Sequence, residues 1–239
     1  MAFTHAQATA TANVSGVATS LNVVLTNNPA NGDLVCFGGQ WFNGAGSPAS
    51  FTVADANSNN YTKSTNSPST ANAASAGVAF AFYLASASGA SKTITASFTS
   101  PGSSGSVEIF ADDFTVSVGT ASFDKDAAGS GNAATINTPT VTLTGSNELL
   151  YGFAAVAQSI SGVAGGWTQG AIGGHGNATE YILSSSVSTP LNFSQGVSGQ
   201  WDSMGMSFTT TAAGTVNRIR FPFGAGYTAD GVFNNDRLH

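Results

Sequence analysis

Charge is scarce in this 239-residue sequence: six Lys and Arg and twelve Asp and Glu make up 8% of it, against roughly 25% in an ordinary soluble domain. That scarcity, beside 41% apolar residues, excludes a disordered polyelectrolyte. It also excludes helical bundles and coiled coils, which draw on Glu, Lys and Arg. The net charge of −6 argues against binding nucleic acid by phosphate neutralisation. Long apolar runs are missing too. The longest, residues 78–85, is far short of the roughly 18 that a membrane-spanning helix needs. The one cysteine, Cys36, allows no intrachain disulfide and no cysteine-based metal centre. Its apolar setting, Leu34-Val35-Cys36-Phe37, marks it as a small buried hydrophobe. Residues 1–5 have neither the basic nor the apolar segment of a secretory signal.

What is abundant is small and uncharged: 31 Ser, 27 Thr and 29 Gly, 87 of 239 residues. Short apolar or alternating runs are separated by Gly, Asn, Ser and Pro clusters about every ten residues, which predicts an all-β, antiparallel, jelly-roll-like sandwich. Strands are expected near 13–25, 33–43, 51–54, 60–64, 76–86, 91–98, 106–118, 135–143, 148–158, 166–172, 178–186, 189–194 and 200–210. In residues 92–98, Ile94, Ala96 and Phe98 alternate with Thr93, Thr95 and Ser97, so hydroxyls take the solvent face that Lys and Glu usually occupy.

Two halves echo each other in order. Asp33-Leu34-Val35 resembles Glu148-Leu149-Leu150, and Tyr61-Thr62 resembles Trp167-Thr168. Residues 78–83 match 180–183, 93–98 match 189–194, and 107–110 match 201–204. The expected organisation is a short N-terminal arm at 1–12, one sandwich domain at 13–210 built from the two halves, and a C-terminal arm at 211–239. All three arginines lie in that last segment. Arg218, Arg220, Phe221, Phe223, Tyr227 and Phe233 are the candidate partner interface, since arginine among exposed aromatics anchors interfaces; the partner expected there is a neighbouring, acidic subunit.

The chemistry-bearing residues point away from catalysis. Asp55, Asn57 and Asn59 have the spacing of a calcium loop, but Asn60 and Asn66 stand where that loop needs Gly and Glu, so a hairpin turn is expected. Asp112-Asp113 and Asp124-Lys125-Asp126 read as solvated loop charges. The internal histidine, His175, lies in a glycine loop, and no strand-to-helix serine elbow accompanies it. Among the glutamates Glu108, Glu148 and Glu180, Glu180 is the candidate for a hydrolytic carboxylate. Trp41, Trp167 and Trp201 are either core lids or a sugar-stacking platform. No catalytic residue, cofactor site or metal site is expected.

The succession Val53-Ala54-Asp55 through Tyr61-Thr62, Phe82-Tyr83, Thr93-Ile94-Thr95, Val107-Glu108-Ile109, Asn147-Glu148-Leu149-Leu150 and Gly166-Trp167-Thr168 resembles a Gly/Ser/Thr-rich β-sandwich domain of phage virion and bacterial surface proteins. The resemblance covers residues 13–210 and carries over no catalytic residue. It implies a non-enzymatic virion structural protein that decorates or cements a capsid, or adapts a tail or fibre. The implied partners are a major capsid or other virion protein and further copies of the chain, as a trimer. The alternative is a carbohydrate-binding or adhesin module on a cell or virion surface.

Overall fold

The computed structural model describes residues 2–44 and 46–211. In the first half the strands are β1 (Phe3–His5), β2 (Ala10–Ser15), β3 (Ser20–Val24), β4 (Leu34–Phe42), β5 (Phe51–Asp55), β6 (Thr62–Lys63), β7 (Val78–Leu84), β8 (Thr93–Phe98) and β9 (Ser106–Val116). The second half holds β10 (Thr120–Ile136), β11 (Thr140–Val141), β12 (Glu148–Val156), β13 (Gly162–Val163), β14 (Thr168–Ile172), β15 (Ala178–Ser185), β16 (Thr189–Pro190) and β17 (Phe193–Thr211). The pairings are all antiparallel, and among the described residues there is no helix.

One topology occurs twice. The first half makes a large sheet, β1/β2-β9-β4-β7-β6, and a small one, β3-β8-β5. The second makes a large sheet, β10-β17-β12-β15-β14, and a small layer in which β11 pairs with β16 and β13 with residues 193–194 of β17. Counted as eight strands per repeat, both run 1-8-3-6-5 in the large sheet and 2-7-4 in the small one, a jelly-roll-like order in which strand 5 lies beside strand 6 instead of strand 4. The five sequence correspondences fall on strands at matching places.

The two large sheets pack face to face, which produces four layers and three apolar seams. Leu34, Cys36, Phe110 and Phe114 of the first repeat meet Leu149, Tyr151, Phe153 and Met206 of the second in the central seam. Val35, Phe37, Phe80 and Ile109 turn the other way, toward the first small sheet. Leu150, Ala154, Phe193 and Trp201 fill the second sandwich. Strands β4 and β12 are therefore buried on both faces, which is why they read as near-continuous apolar runs.

Matching residues meet across the central seam. Tyr83 packs edge-on to Phe208 with centroids 5.3 Å apart, and Tyr181 packs edge-on to Phe114 at 5.4 Å. Tyr83 also stacks on Phe123 at 4.8 Å, and Tyr181 meets His5 at the matching place in a tilted pair at 4.6 Å. Such ring pairs contribute about 0.5–1.5 kcal/mol each beyond the area they bury.

Three expectations need correction. Residues 3–5 and 10–12 are no free arm: they pair with β9, and Phe3 is fully buried. Residue 211, expected to open the C-terminal arm, still pairs with residue 120. The acid-containing stretch 120–136 is a 17-residue strand. Its Gly and Ala positions suit close cover, since a Cβ at Gly131 would stand 2.5 Å from the Trp201 ring. The free edge of β10 is capped by the other repeat: Ser69 Oγ donates to Gly129 O at 3.2 Å and Asn72 Nδ2 to Gly131 O at 3.1 Å, which blocks an edge that would otherwise pair with another chain.

Candidate functional site

The described residues include ten acids, and eight of them are buried: Asp33, Asp55, Glu108, Asp112, Asp113, Glu148, Glu180 and Asp202. The three lysines among these residues, Lys63, Lys92 and Lys125, are exposed. The described surface is consequently hydroxyl and amide with little negative charge. This reverses the expectation for Asp112-Asp113, which lie inside β9 instead of in a solvated loop.

Two of the buried carboxylates lock the repeats together reciprocally. Glu108 of β9 reaches the loop ahead of β15, where it accepts from the His175 N–H at 2.9 Å, the Asn177 N–H at 3.3 Å and Asn177 Nδ2 at 2.7 Å. Asn177 Nδ2 also donates to Gln40 Oε1 at 2.8 Å, while its Oδ1 accepts from the Val156 N–H at 2.9 Å. Asp202 stands at the matching place on β17 and reaches the loop ahead of β7, accepting from Ser69 Oγ at 3.2 Å and the Asn72 N–H at 3.1 Å. Each of these hydrogen bonds to Glu108 and to Asp202 ties one repeat to the other.

A second cluster lies under the N-terminal segment. His5 Nε2 is 3.1 Å from Asp112 Oδ1 and its Nδ1 is 3.2 Å from the Tyr181 hydroxyl. Thr9 Oγ1 donates to the same Asp112 oxygen. Gln7 Nε2 donates to Asp113 Oδ2 at 2.6 Å and also to Asn27 O at 3.2 Å. Asp33 lies against Asp113; burial, reinforced by that neighbouring carboxyl, pushes Asp113 up to about 6 although Gln7 pulls it down. The cluster thus has one imidazole with both nitrogens engaged, and a buried carboxyl, Asp113, whose proton is held more tightly by burial and by Asp33 beside it.

The remaining acids have structural explanations. Asp55 Oδ1 accepts the N–H groups of Asn57 and Asn59 at 2.9 and 3.0 Å, making the hairpin turn expected there. Glu148 caps the preceding turn through the Gly145 N–H, beside Asp124. Asp124 accepts from Thr144 Oγ1 at 2.6 Å and Asp126 from Asn66 Nδ2 at 2.7 Å, so both belong to β10 and its contacts. Glu180 is sealed inside the second sandwich, where burial pushes it up to about 8 against the pull of the Asn192 N–H. It is fully buried, and the three glutamates occupy three separate environments.

The tryptophans are core residues: Trp41, Trp167 and Trp201 are 2, 6 and 2% exposed. Trp41 Nε1 donates to Thr99 O at 2.7 Å and Trp167 Nε1 to Pro190 O at 2.9 Å. A sugar platform needs a ring face in solvent, and none of the three provides one. An open recess of about 290 Å³ between β5 and β6 has Phe51, Tyr61 and Phe82 as its floor with Thr52, Asn60 and Lys63 at its margin, but those rings too are buried. Arg218, Arg220, Phe221, Phe223, Tyr227 and Phe233 lie outside the described residues. Among the described residues no group of three His, Cys, Asp or Glu side chains is arranged to hold a metal ion.

Gln7, Thr9, Asn72 and Asn177 escaped the sequence reading. The available signal was an acid inside an apolar strand, as in Val107-Glu108-Ile109, because such a group requires donors from elsewhere in the fold. The sequence matches no protein-family model and no curated protein.

Proposed function

We propose that the chain is a non-enzymatic structural protein of a phage virion, which decorates or cements the capsid, or adapts a tail or fibre, through its sandwich surface and C-terminal arm. The observation that carries this reading is the withdrawal of acid from the surface. Eight buried carboxylates leave a face of Ser, Thr, Asn and Gly that can pack against neighbours without paying to desolvate charge and with little sensitivity to salt. Two of the buried acids, Glu108 and Asp202, hold the two repeats together.

The same observation alters the expected partner. An acidic neighbour for Arg218 and Arg220 is not supplied by a second copy's described surface, where the least buried acids, Asp124 and Asp126, already accept from Thr144 and Asn66. The partner that fits the arm is therefore a different virion protein, the major capsid protein first, and self-association as a trimer rests on the neutral faces.

Light scattering of the full chain and of a version ending at Ala213, each alone and with assembled particles from its source, tests the proposal. Particle binding by the full chain that disappears in the shorter one supports it. Failure of both to bind removes it and leaves the adhesin alternative, to be tried on a glycan array.

A further inference from the structure

Residues 2–9 cross β9 like a staple. β1 contributes three residues of pairing at the sheet edge, Phe3 to Val116 and His5 to Phe114, and the Ala6 N–H donates to Asp113 O at 2.8 Å. The polar anchors then fall on two adjacent acids. Consecutive residues of a strand point to opposite faces, so Asp112 enters the central seam and Asp113 the first sandwich. His5 and Thr9 hold the first of these, and Gln7 holds the second. In the second repeat the same place is filled by the continuous strand β10, with Phe123 where His5 stands. The staple is thus a short, polar-anchored version of a strand that is long and apolar-anchored in its twin.

We propose that residues 2–9 form a proton-gated latch, shut over Asp112 and Asp113 at low pH and released as protons leave, which uncovers the 114–116 edge of β9 and the slot of Phe3.

The groups facing the two carboxylates set the direction. Around Asp113 are Asp33 ahead of β4, His5 of β1 and, farther off, Cys36 of β4 and Tyr61 ahead of β6. Around Asp112 are His5, Tyr151 of β12, Tyr181 of β15 and Cys36. His5 is the cation-forming group in this set, and among the described residues no lysine lies within ion-pair distance of either acid. Losing the Asp113 proton sets a charge beside Asp33 in a buried place. Asp113 Oδ1 has no partner, and Asp33 has the Ala30 N–H. Water reaches the acids by lifting Gln7 and its neighbours off β9, to which β1 is held by three strand pairs.

Amide hydrogen exchange on the full chain tests the latch, read as protection factors so that the intrinsic pH dependence of exchange divides out. Between pH 5 and pH 8 the amides of Thr4, His5 and Ala6 are expected to lose at least about tenfold protection relative to those of β12, the change that one unit of differential proton affinity produces. Asp113→Asn, which removes the titrating carboxyl, or Asp33→Asn, which removes the like charge beside it, flattens that loss. An unchanged ratio in the wild-type protein overturns the proposal, as does a loss that persists in a folded Asp33→Asn variant. A purely structural staple would show equal protection at both pH values.

Discussion

The ring of Phe153 lies directly over Gly38, the residue that occupies its own position in the other repeat. Register establishes the match: Gly38 pairs with Phe110 of β9, and Phe153 pairs with Met204 of β17, the partner of Phe110 in the duplication. A Cβ at Gly38 would stand 2.7 Å from the Phe153 ring, so the central seam closes only because one repeat has a side chain where the other has none. The repeats have diverged as partners, each shaped to the other.

Gly38→Ala is therefore expected to destabilise the fold by about 1–3 kcal/mol, the usual cost of overpacking a filled core. Phe153 has no free direction to retreat, with Phe110 5.6 Å away, centroid to centroid. Urea denaturation of the wild-type and variant chains checks it, and Gly38→Ala with Phe153→Leu should recover part of the loss.

Glu108→Ala and Asp202→Ala should each cost about 2–4 kcal/mol, since each strands buried donors worth about 1–3 kcal/mol apiece. Glu108→Ala is expected to be the more severe, because it strands three N–H donors where Asp202→Ala strands two. Thermal unfolding of both variants reads the order, and equal, negligible effects would show that the clasps do not hold the repeats.

Stability should fall as pH rises from 5 to 9. Glu180 and Asp113 hold their protons more tightly folded than unfolded, up to about 8 and about 6 against ordinary values of 4.5 and 3.8. Their contribution is complete below the ordinary carboxylate range, and it is lost as pH climbs through 6 and then 8. For the fully buried Glu180, at about 1.4 kcal/mol per unit, the loss is a few kcal/mol. Glu180→Gln, isosteric with the neutral acid, should flatten the upper part of a melting-temperature profile across this range.

Cys36 should be inert to thiol reagents in the native protein and react only through opening of the fold. It is fully buried in the central seam, and burial, with Asp112 and Asp113 nearby, pushes its thiol well above the ordinary range. Labelling followed by mass measurement in native buffer and in denaturant distinguishes the two states; rapid native labelling would mean that the seam is loose.

The strand pattern was legible wherever a strand's own residues alternate or run apolar, as in β8, β4 and β12, and so was the Asp55 turn. The duplication was visible only faintly because it conserves volume instead of identity. Trp41 faces Val107 in the first repeat, while Val156 faces Trp201 in the second, so the same bulk arrives from opposite strands. β10 was illegible because its Gly, Ala and Ser carry no pattern, and its order comes from β17 and from a loop about 60 residues away. The buried acids were misread for the same reason. A carboxylate in an uncharged chain looks solvated until its donors are known, and those of Glu108 lie 67 and 69 residues downstream.

The pairing of Phe3 with Val116 and of Thr120 with Thr211 brings the first strand, the connection between repeats and the last strand to one pole, where Ala2, Val118 and Thr210 line a common hollow. A pull on residue 2 and a pull on residue 211 are both taken up at that pole. The loops at the far end, including 46–50 and 99–105, lie a full strand length from it.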